Sequence, residues 1–325
     1  MSKILRFLVS AGLLVLVLAL ADWREVLHVM RGVDLGWVAA ALALAVCDRI
    51  VTNYRWQAFL QARGVEVGFL RLFRVQLLAN FIGSFLPGFI GVDAVRIGAL
   101  CRSGEPAAPV IAATLVDRVT IALATLLVGA ATVLALARSR LPPHVEQFVL
   151  LLAAAAVVLV AVSLHPVIRR RIRVLLLPRV PERMRHTVGE VASASLAYRH
   201  QPGLAVWVTL LTLALFAVRI VFAKVVALSC GFDIDLADLL LVIPVLWVVV
   251  MAPITIGGIG VQDAGYVVLM GLIGIAAPVA VSMSLVEHIV SRVASLPGAF
   301  FLAEAKARAA VPPSPSPPLA GADTR

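Results

Sequence analysis

Long apolar runs occupy residues 4–21, 35–60, 107–137, 147–167, 204–230 and 278–303. A bilayer's hydrocarbon core is about 30 Å thick, and an α-helix needs on the order of 20 apolar residues to cross it. Two further apolar stretches, 72–101 and 236–276, are interrupted by Gly and Pro. Charged residues make up only 14% of the 325, against roughly 25% in an ordinary soluble domain, and the mean hydropathy is +1.02. The expected fold is all-α: a polytopic transmembrane helix bundle filling residues 1–310 as one domain. No room is left within it for a soluble catalytic unit.

The formal net charge is +10. On a chain of this kind Lys and Arg collect in cytoplasmic loops beside anionic headgroups, which argues against nucleic acid as the partner. Lys3 and Arg6 start inside, followed on the same side by Arg63, Arg71, Arg74, Arg96 and Arg102, and then by the arginine-rich loop 168–203. The acidic loop with Asp233, Asp235 and Asp238 falls outside, and Lys306 and Arg308 return to the cytoplasm. Both termini are therefore expected to be cytoplasmic, in a cell inner membrane. Ala19-Leu20-Ala21 resembles a signal-peptidase site, but an uncleaved first helix suits a polytopic chain better. Residues 311–325, rich in Pro, Ser and Ala, cannot build a core and are expected to form a disordered tail. Cys47, Cys101 and Cys230 lie in or beside apolar runs without CxxC or Cys/His spacing, so no disulfide framework or metal site is expected.

An offset of 170 residues aligns three scarce charged segments in order. Arg49-Ile50-Val51 falls on Arg219-Ile220-Val221, Asp93-Ala94 on Asp263-Ala264, and Leu115-Val116-Asp117-Arg118 on Leu285-Val286-Glu287-His288. The predicted topology runs 35–60 inward and 204–230 outward, so the halves, about 35–137 and 205–305, are expected to be inverted repeats. Secondary transporters commonly place a site between such repeats, built from broken helices.

Each half contains such a break. Pro87, Gly88 and Gly91 interrupt the first, and Pro253, Gly257, Gly258 and Gly260 the second. Backbone freed at membrane depth is tolerated only where it is buried in protein or lines a wet cavity, so each stretch is expected to be a re-entrant or broken-helix element. The exposed helix N-terminus at such a break suits an anionic group. Asp93 and Asp263 each open the helical run after a break, and Arg96 lies three residues beyond Asp93 on the same helix face.

The long helices carry Asp48, Arg49, Arg55, Asp117, Arg118, Arg219, Lys224, Glu287, His288 and Arg292. A charge at a helix centre costs roughly 2.5–3.5 kcal/mol on insertion scales. Such residues therefore mark candidate function unless they snorkel from helix ends, as expected of Arg55 and Lys224. The expected substrate-binding set is Arg49, Asp93, Arg96, Asp117, Arg118, Arg219, Asp263 and Glu287. In it, arginines grip a phosphate and carboxylates hold the arginines. The competing reading makes these residues ion pairs that only fix helix packing.

Leu86-Pro87-Gly88…Gly91-Val92-Asp93…Arg96, Val116-Asp117-Arg118 and Pro253…Gly257-Gly258-Ile259-Gly260-Val261-Gln262-Asp263 together resemble the lysylphosphatidylglycerol synthase transmembrane, or flippase-like, family over roughly residues 10–305. The resemblance implies movement of lipids or lipid-linked molecules between leaflets. The family pattern has Gly-Gly-Asp at Gly91-Val92-Asp93 and Arg-Glu at Gln262-Asp263, so the substrate is not carried over. The synthases have a soluble aminoacyl-transferase domain after the membrane part, and with a Pro-rich tail there instead, lysyl transfer is not expected.

The expected activity is translocation of a phospholipid or polyprenyl-phosphate headgroup, without enzyme chemistry or a cofactor. The ligands would be membrane lipids, anionic or phosphate-bearing. One alternative is a non-catalytic subunit organising a lipid or envelope biosynthetic complex, either as a homo-oligomer or with a partner. Another is an intramembrane headgroup transferase with Asp93 or Asp263 as general base, although no HExxH, metal cluster or nucleophile motif accompanies it.

Overall fold

The computed structural model describes residues 22–86, 88–136, 201–250 and 259–302, with isolated positions at 147, 150, 151, 153, 154 and 158. The expected first span, most of 147–167, the basic loop before 201, the tail, and Pro87, Pro253, Gly257 and Gly258 lie outside the described residues. Every described element is helical: α1 (Trp23–Arg31), α2 (Leu35–Gln61), α3 (Phe69–Gly83), α4 (Gly88–Arg102), α5 (Ala107–Leu136), α6 (Pro202–Ser229), α7 (Leu236–Val250), α8 (Val261–Leu272) and α9 (Ala277–Val293). Among the described residues, four helices are long and apolar enough to cross a membrane, namely α2, α5, α6 and Ala277–Leu302. Their starts and stops follow local chemistry. Asp34 caps α2 by accepting from the Gly36 N–H at 2.7 Å, and proline occupies the first turn of both α6 and α9, where its missing N–H has no partner to lose.

α2 and α6 form the most extensive helix interface among these elements. The Asp34 N–H donates to the Ser229 carbonyl at 2.9 Å at one end. Gln201 Nε2 donates to the Ala62 carbonyl at 3.4 Å at the other, and Arg219 meets Asp48 midway. The two helices therefore run antiparallel along their whole length. Two apolar cores flank the crossing. One gathers Trp56, Phe59, Leu60, Leu72 and Leu100 with Val208, and the other packs Ala41 and Ala45 with the C-terminal half of α6 and with α7, α8 and α9.

α3 and α4 make a tight hairpin. A Cβ on Gly83 would lie 2.4 Å from Val92 Cγ2, and one on Gly91 2.3 Å from Leu86 Cβ, so the helices close to a distance only glycine allows. At 15 residues each, they are about 22 Å long, shorter than the bilayer core. α7 and α8 are also short, with 15 and 12 residues, and Leu246 Cδ1 sits 2.6 Å from where a Gly265 Cβ would be. The first interruption predicted from Gly and Pro thus lies between two short helices, while residues 251–258 of the second are outside the described residues.

The turns repeat. After α4, Glu105 N–H donates to Leu100 O and Gly104 N–H to Cys101 O; after α8, Ile275 N–H donates to Met270 O and Gly274 N–H to Gly271 O. These helix-closing turns need a left-handed glycine, supplied by Gly104 (φ 95°) and Gly274 (φ 82°), 170 residues apart. After α2, Val65 N–H meets Leu60 O, and after α6, Phe232 N–H meets Ala227 O, an offset of 167. The starts of α2 and α6, and the starts of α3 and α7, share that shorter offset. A single gapless offset of 170 thus fits α4–α5 against α8–α9 but not α2–α3 against α6–α7. By turn register Arg219 corresponds to Thr52, and Arg49 lies nearly one helical turn away from its expected counterpart.

Candidate functional site

α2 threads the polar centre with residues three and four apart, which share a helix face. Asp48 accepts from Arg219 Nε at 2.8 Å, and the Arg219 guanidinium lies 4.1 Å over the Trp247 ring. Arg49 has a different environment. It donates to the Ser291 carbonyl at 2.7 Å and to Ser295 Oγ at 2.8 Å, beside the point where α9 ends at Val293. Ser295 N–H has turned to the Arg292 carbonyl, leaving Ser291 O for side-chain donors. Among the described residues no carboxylate lies within ion-pair distance of Arg49, and its Nε has no hydrogen-bond partner.

A second cluster occupies α4, α5 and the latter part of α2. Arg118 grips Asp93 with both Nε and Nη2, at 2.6 and 2.7 Å. Arg55 donates to Asp117 Oδ1 at 2.8 Å. Arg96 is fully buried, 3.6 Å from Asp93 and 3.9 Å from Asp117, with its guanidinium 4.5 Å over the Trp56 ring. Three arginines thus share two carboxylates. Trp56 is fixed in turn by donating to Thr114 Oγ1 at 3.1 Å.

In α8 and α9 the partners change. Asp263 Oδ2 accepts from the Gly260 N–H at 2.8 Å, Oδ1 accepts from Ser284 Oγ at 2.6 Å, and His288 Nε2 lies 3.3 Å from Oδ1. Tyr266 donates its hydroxyl to Glu287 Oε2 at 2.5 Å. Gly260 turns into α8 at φ 88°, a conformation that side-chain-bearing residues rarely adopt.

A cavity of about 200 Å³ lies where these groups meet, lined by Asp48, Arg49, Thr52, Gln76, Asn80, Arg118, Arg219, Trp247, Tyr266, Glu287 and Ser291 among others. It takes side chains from both halves. Three buried polar atoms of its lining residues, Arg49 Nε, Thr52 Oγ1 and Gln76 Oε1, have no hydrogen-bond partner. A buried polar group without a partner costs on the order of 1–3 kcal/mol, so the cavity suits water or a polar ligand.

Of the eight expected binding residues, Arg49, Arg118, Arg219 and Glu287 line this cavity. Asp93 touches it through Arg118, while Arg96 and Asp117 sit behind it in the Arg55 cluster and Asp263 behind Tyr266 and Glu287. Two expectations are corrected. Arg55 does not snorkel: its side chain is 1% exposed and paired with Asp117. Asp93 does not open a helix, because α4 begins five residues earlier at Gly88, whereas Asp263 does sit in the first turn of α8. Arg96 is fully buried among protein side chains. Sequence reasoning passed over Thr52, Gln76, Trp247 and Tyr266. Tyr266 was traceable, since the 170-residue offset places it on Arg96, but a phenol carries no charge to draw notice.

Apolar spans packed around a buried ionic centre define a multi-pass helical membrane protein with a polar cavity. Residues 3–298 match the family of the lysylphosphatidylglycerol synthase TM region, and the chain belongs to that family. No curated protein matches the chain.

Proposed function

We propose that the chain translocates a phosphate-bearing lipid headgroup between leaflets, using the cavity between its halves, and that it does so without enzyme chemistry. The observation carrying this reading is Arg49, a guanidinium from the middle of the span-length helix α2 that lines the cavity with no carboxylate partner among the described residues and with Nε unbonded. A phosphate oxygen supplies the acceptor that Arg49 lacks, in a site where water is scarce and a charge-assisted bond is strong. Arg219 and Arg118 add positive charge to the same wall.

The architecture favours the same reading. α2–α5 and α6–α9 are read as inverted copies, supported by the antiparallel α2 and α6 and by the repeated turns. α3–α4 and the segment entering α8 are read as re-entrant elements, because α3, α4 and α8 are too short to cross.

The test is movement of labelled phospholipid in proteoliposomes at matched protein incorporation, comparing wild type with Arg49→Ala and Ser295→Ala. Arg49→Ala is expected to slow movement at least about tenfold, equivalent to about 1.4 kcal/mol. Ser295→Ala removes one anchor of Arg49 but leaves the cation, and is expected to keep most of the rate. Equal rates in wild type and Arg49→Ala would sink the headgroup role of Arg49. Absence of movement with every headgroup class, polyprenyl phosphates included, would instead favour a subunit of a biosynthetic complex.

A further inference from the structure

The two halves place carboxylates alike but pair them differently. Asp93 meets Arg118 25 residues on, and Asp263 meets His288 at the same spacing. Arg96 approaches Asp117 21 residues on, and Tyr266 meets Glu287 at that spacing too. Both carboxylates persist, but each permanent cation of the first half is replaced by a group that is uncharged or titrates. Among the described residues, Asp263 and Glu287 have no Lys or Arg within ion-pair distance. His288 is 9% exposed, and its Nε2, though 3.3 Å from Asp263 Oδ1, makes no hydrogen bond.

A buried carboxylate with no Lys or Arg beside it is stabilised by a proton held on a neighbouring imidazole, because an opposite charge offsets the cost of burying it. We propose that Asp263, His288, Tyr266 and Glu287 form a proton-binding site, with the proton held on His288 against Asp263 and felt in the cavity through Glu287. α8 contributes Asp263 and Tyr266 to this site. Across the cavity Asp48 and Arg49 of α2 and Arg219 of α6 face Glu287. α1 meets the region through the apolar Val26 and Met30, and Cys230, just after α6, shares the Tyr266 core. A phosphate entering beside Arg49 brings negative charge towards Glu287, so headgroup and proton favour each other's binding, and the coupling is reciprocal. The proton site stands without the translocation reading; the coupling rests on it.

Two measurements separate these. Nitrogen-15 histidine NMR of the full chain in lipid nanodiscs reads protonation directly, with His288 among the six histidines assigned by its loss in His288→Gln. Its ring-nitrogen signals are expected to report a bound proton within a range of pH, and to report it differently in Glu287→Gln. A ring that stays neutral over that range overturns the site whether or not lipid moves. In proteoliposomes, wild-type translocation is expected to change several-fold between pH 6 and 8. His288→Arg, which gives the second half the permanent cation of the first, is expected to make the rate flat. A pH profile unchanged in His288→Arg overturns the coupling. If no lipid moves while His288 reports a bound proton that depends on Glu287, the translocation reading fails and the proton site is supported.

Discussion

Arg55 shows how far a buried charge can be misplaced by sequence alone. It lies six residues from the end of α2, where a long side chain ordinarily reaches for water, yet its partner Asp117 is 62 residues on in α5. Nothing local to α2 announces that pairing. Arg55→Ala removes the 2.8 Å partner of Asp117 and leaves that buried carboxylate only Arg96 at 3.9 Å; breaking a buried pair costs up to about 3–5 kcal/mol, so the variant is expected to lower the melting temperature in detergent. Adding Asp117→Asn to it should deepen the loss, because the buried Arg96 then keeps only Asp93. If Arg55→Ala melts like wild type, the pair is not holding α2 to α5. The charged residues themselves were legible because charges are scarce in apolar runs. Their partners were not, since pairing depends on which helix faces are brought together.

Among the elements, the long helices were the most legible. The expected 35–60, 107–137 and 204–230 lie within a few residues of α2, α5 and α6, because bilayer length and a lack of charge leave little freedom in where such helices start and end. The amphipathic α1 went unread, although Asp22 caps it by accepting from the Arg24 N–H at 3.0 Å. The α3–α4 hairpin was legible as an interruption but not as a close contact. At Gly83, alanine would place its methyl 2.4 Å from Val92 Cγ2. Overpacking of this kind costs about 1–3 kcal/mol. Gly83→Ala is expected to lower the melting temperature, and Val92→Ala in the same chain to recover most of the loss. A Gly83→Ala protein as stable as wild type would mean that the hairpin spreads without penalty.

For the whole molecule, the loop charges set an orientation that can be checked directly. Arg71 and Asp233 have exposed side chains, 50% and 79% accessible, near the expected inner and outer faces respectively. In a background with Cys47, Cys101 and Cys230 replaced by alanine, a membrane-impermeant maleimide added to intact cells should label Asp233→Cys and spare Arg71→Cys. The reverse pattern would invert the topology. The recurrence of turns was only partly legible: the charged landmarks suggest one offset of 170, which the turns after α4 and α8 keep, while the spacing of 167 between the turns after α2 and α6 became visible only through their hydrogen bonds. The stacking of Arg219 on Trp247 has a consequence of its own. Trp247 is the one tryptophan, among the described residues, in the cavity wall, and a guanidinium over an indole face sets the electric field that fixes its emission colour. Trp247 emission is therefore expected to shift if an occupant draws Arg219 aside, which adding lipid to the purified protein would read.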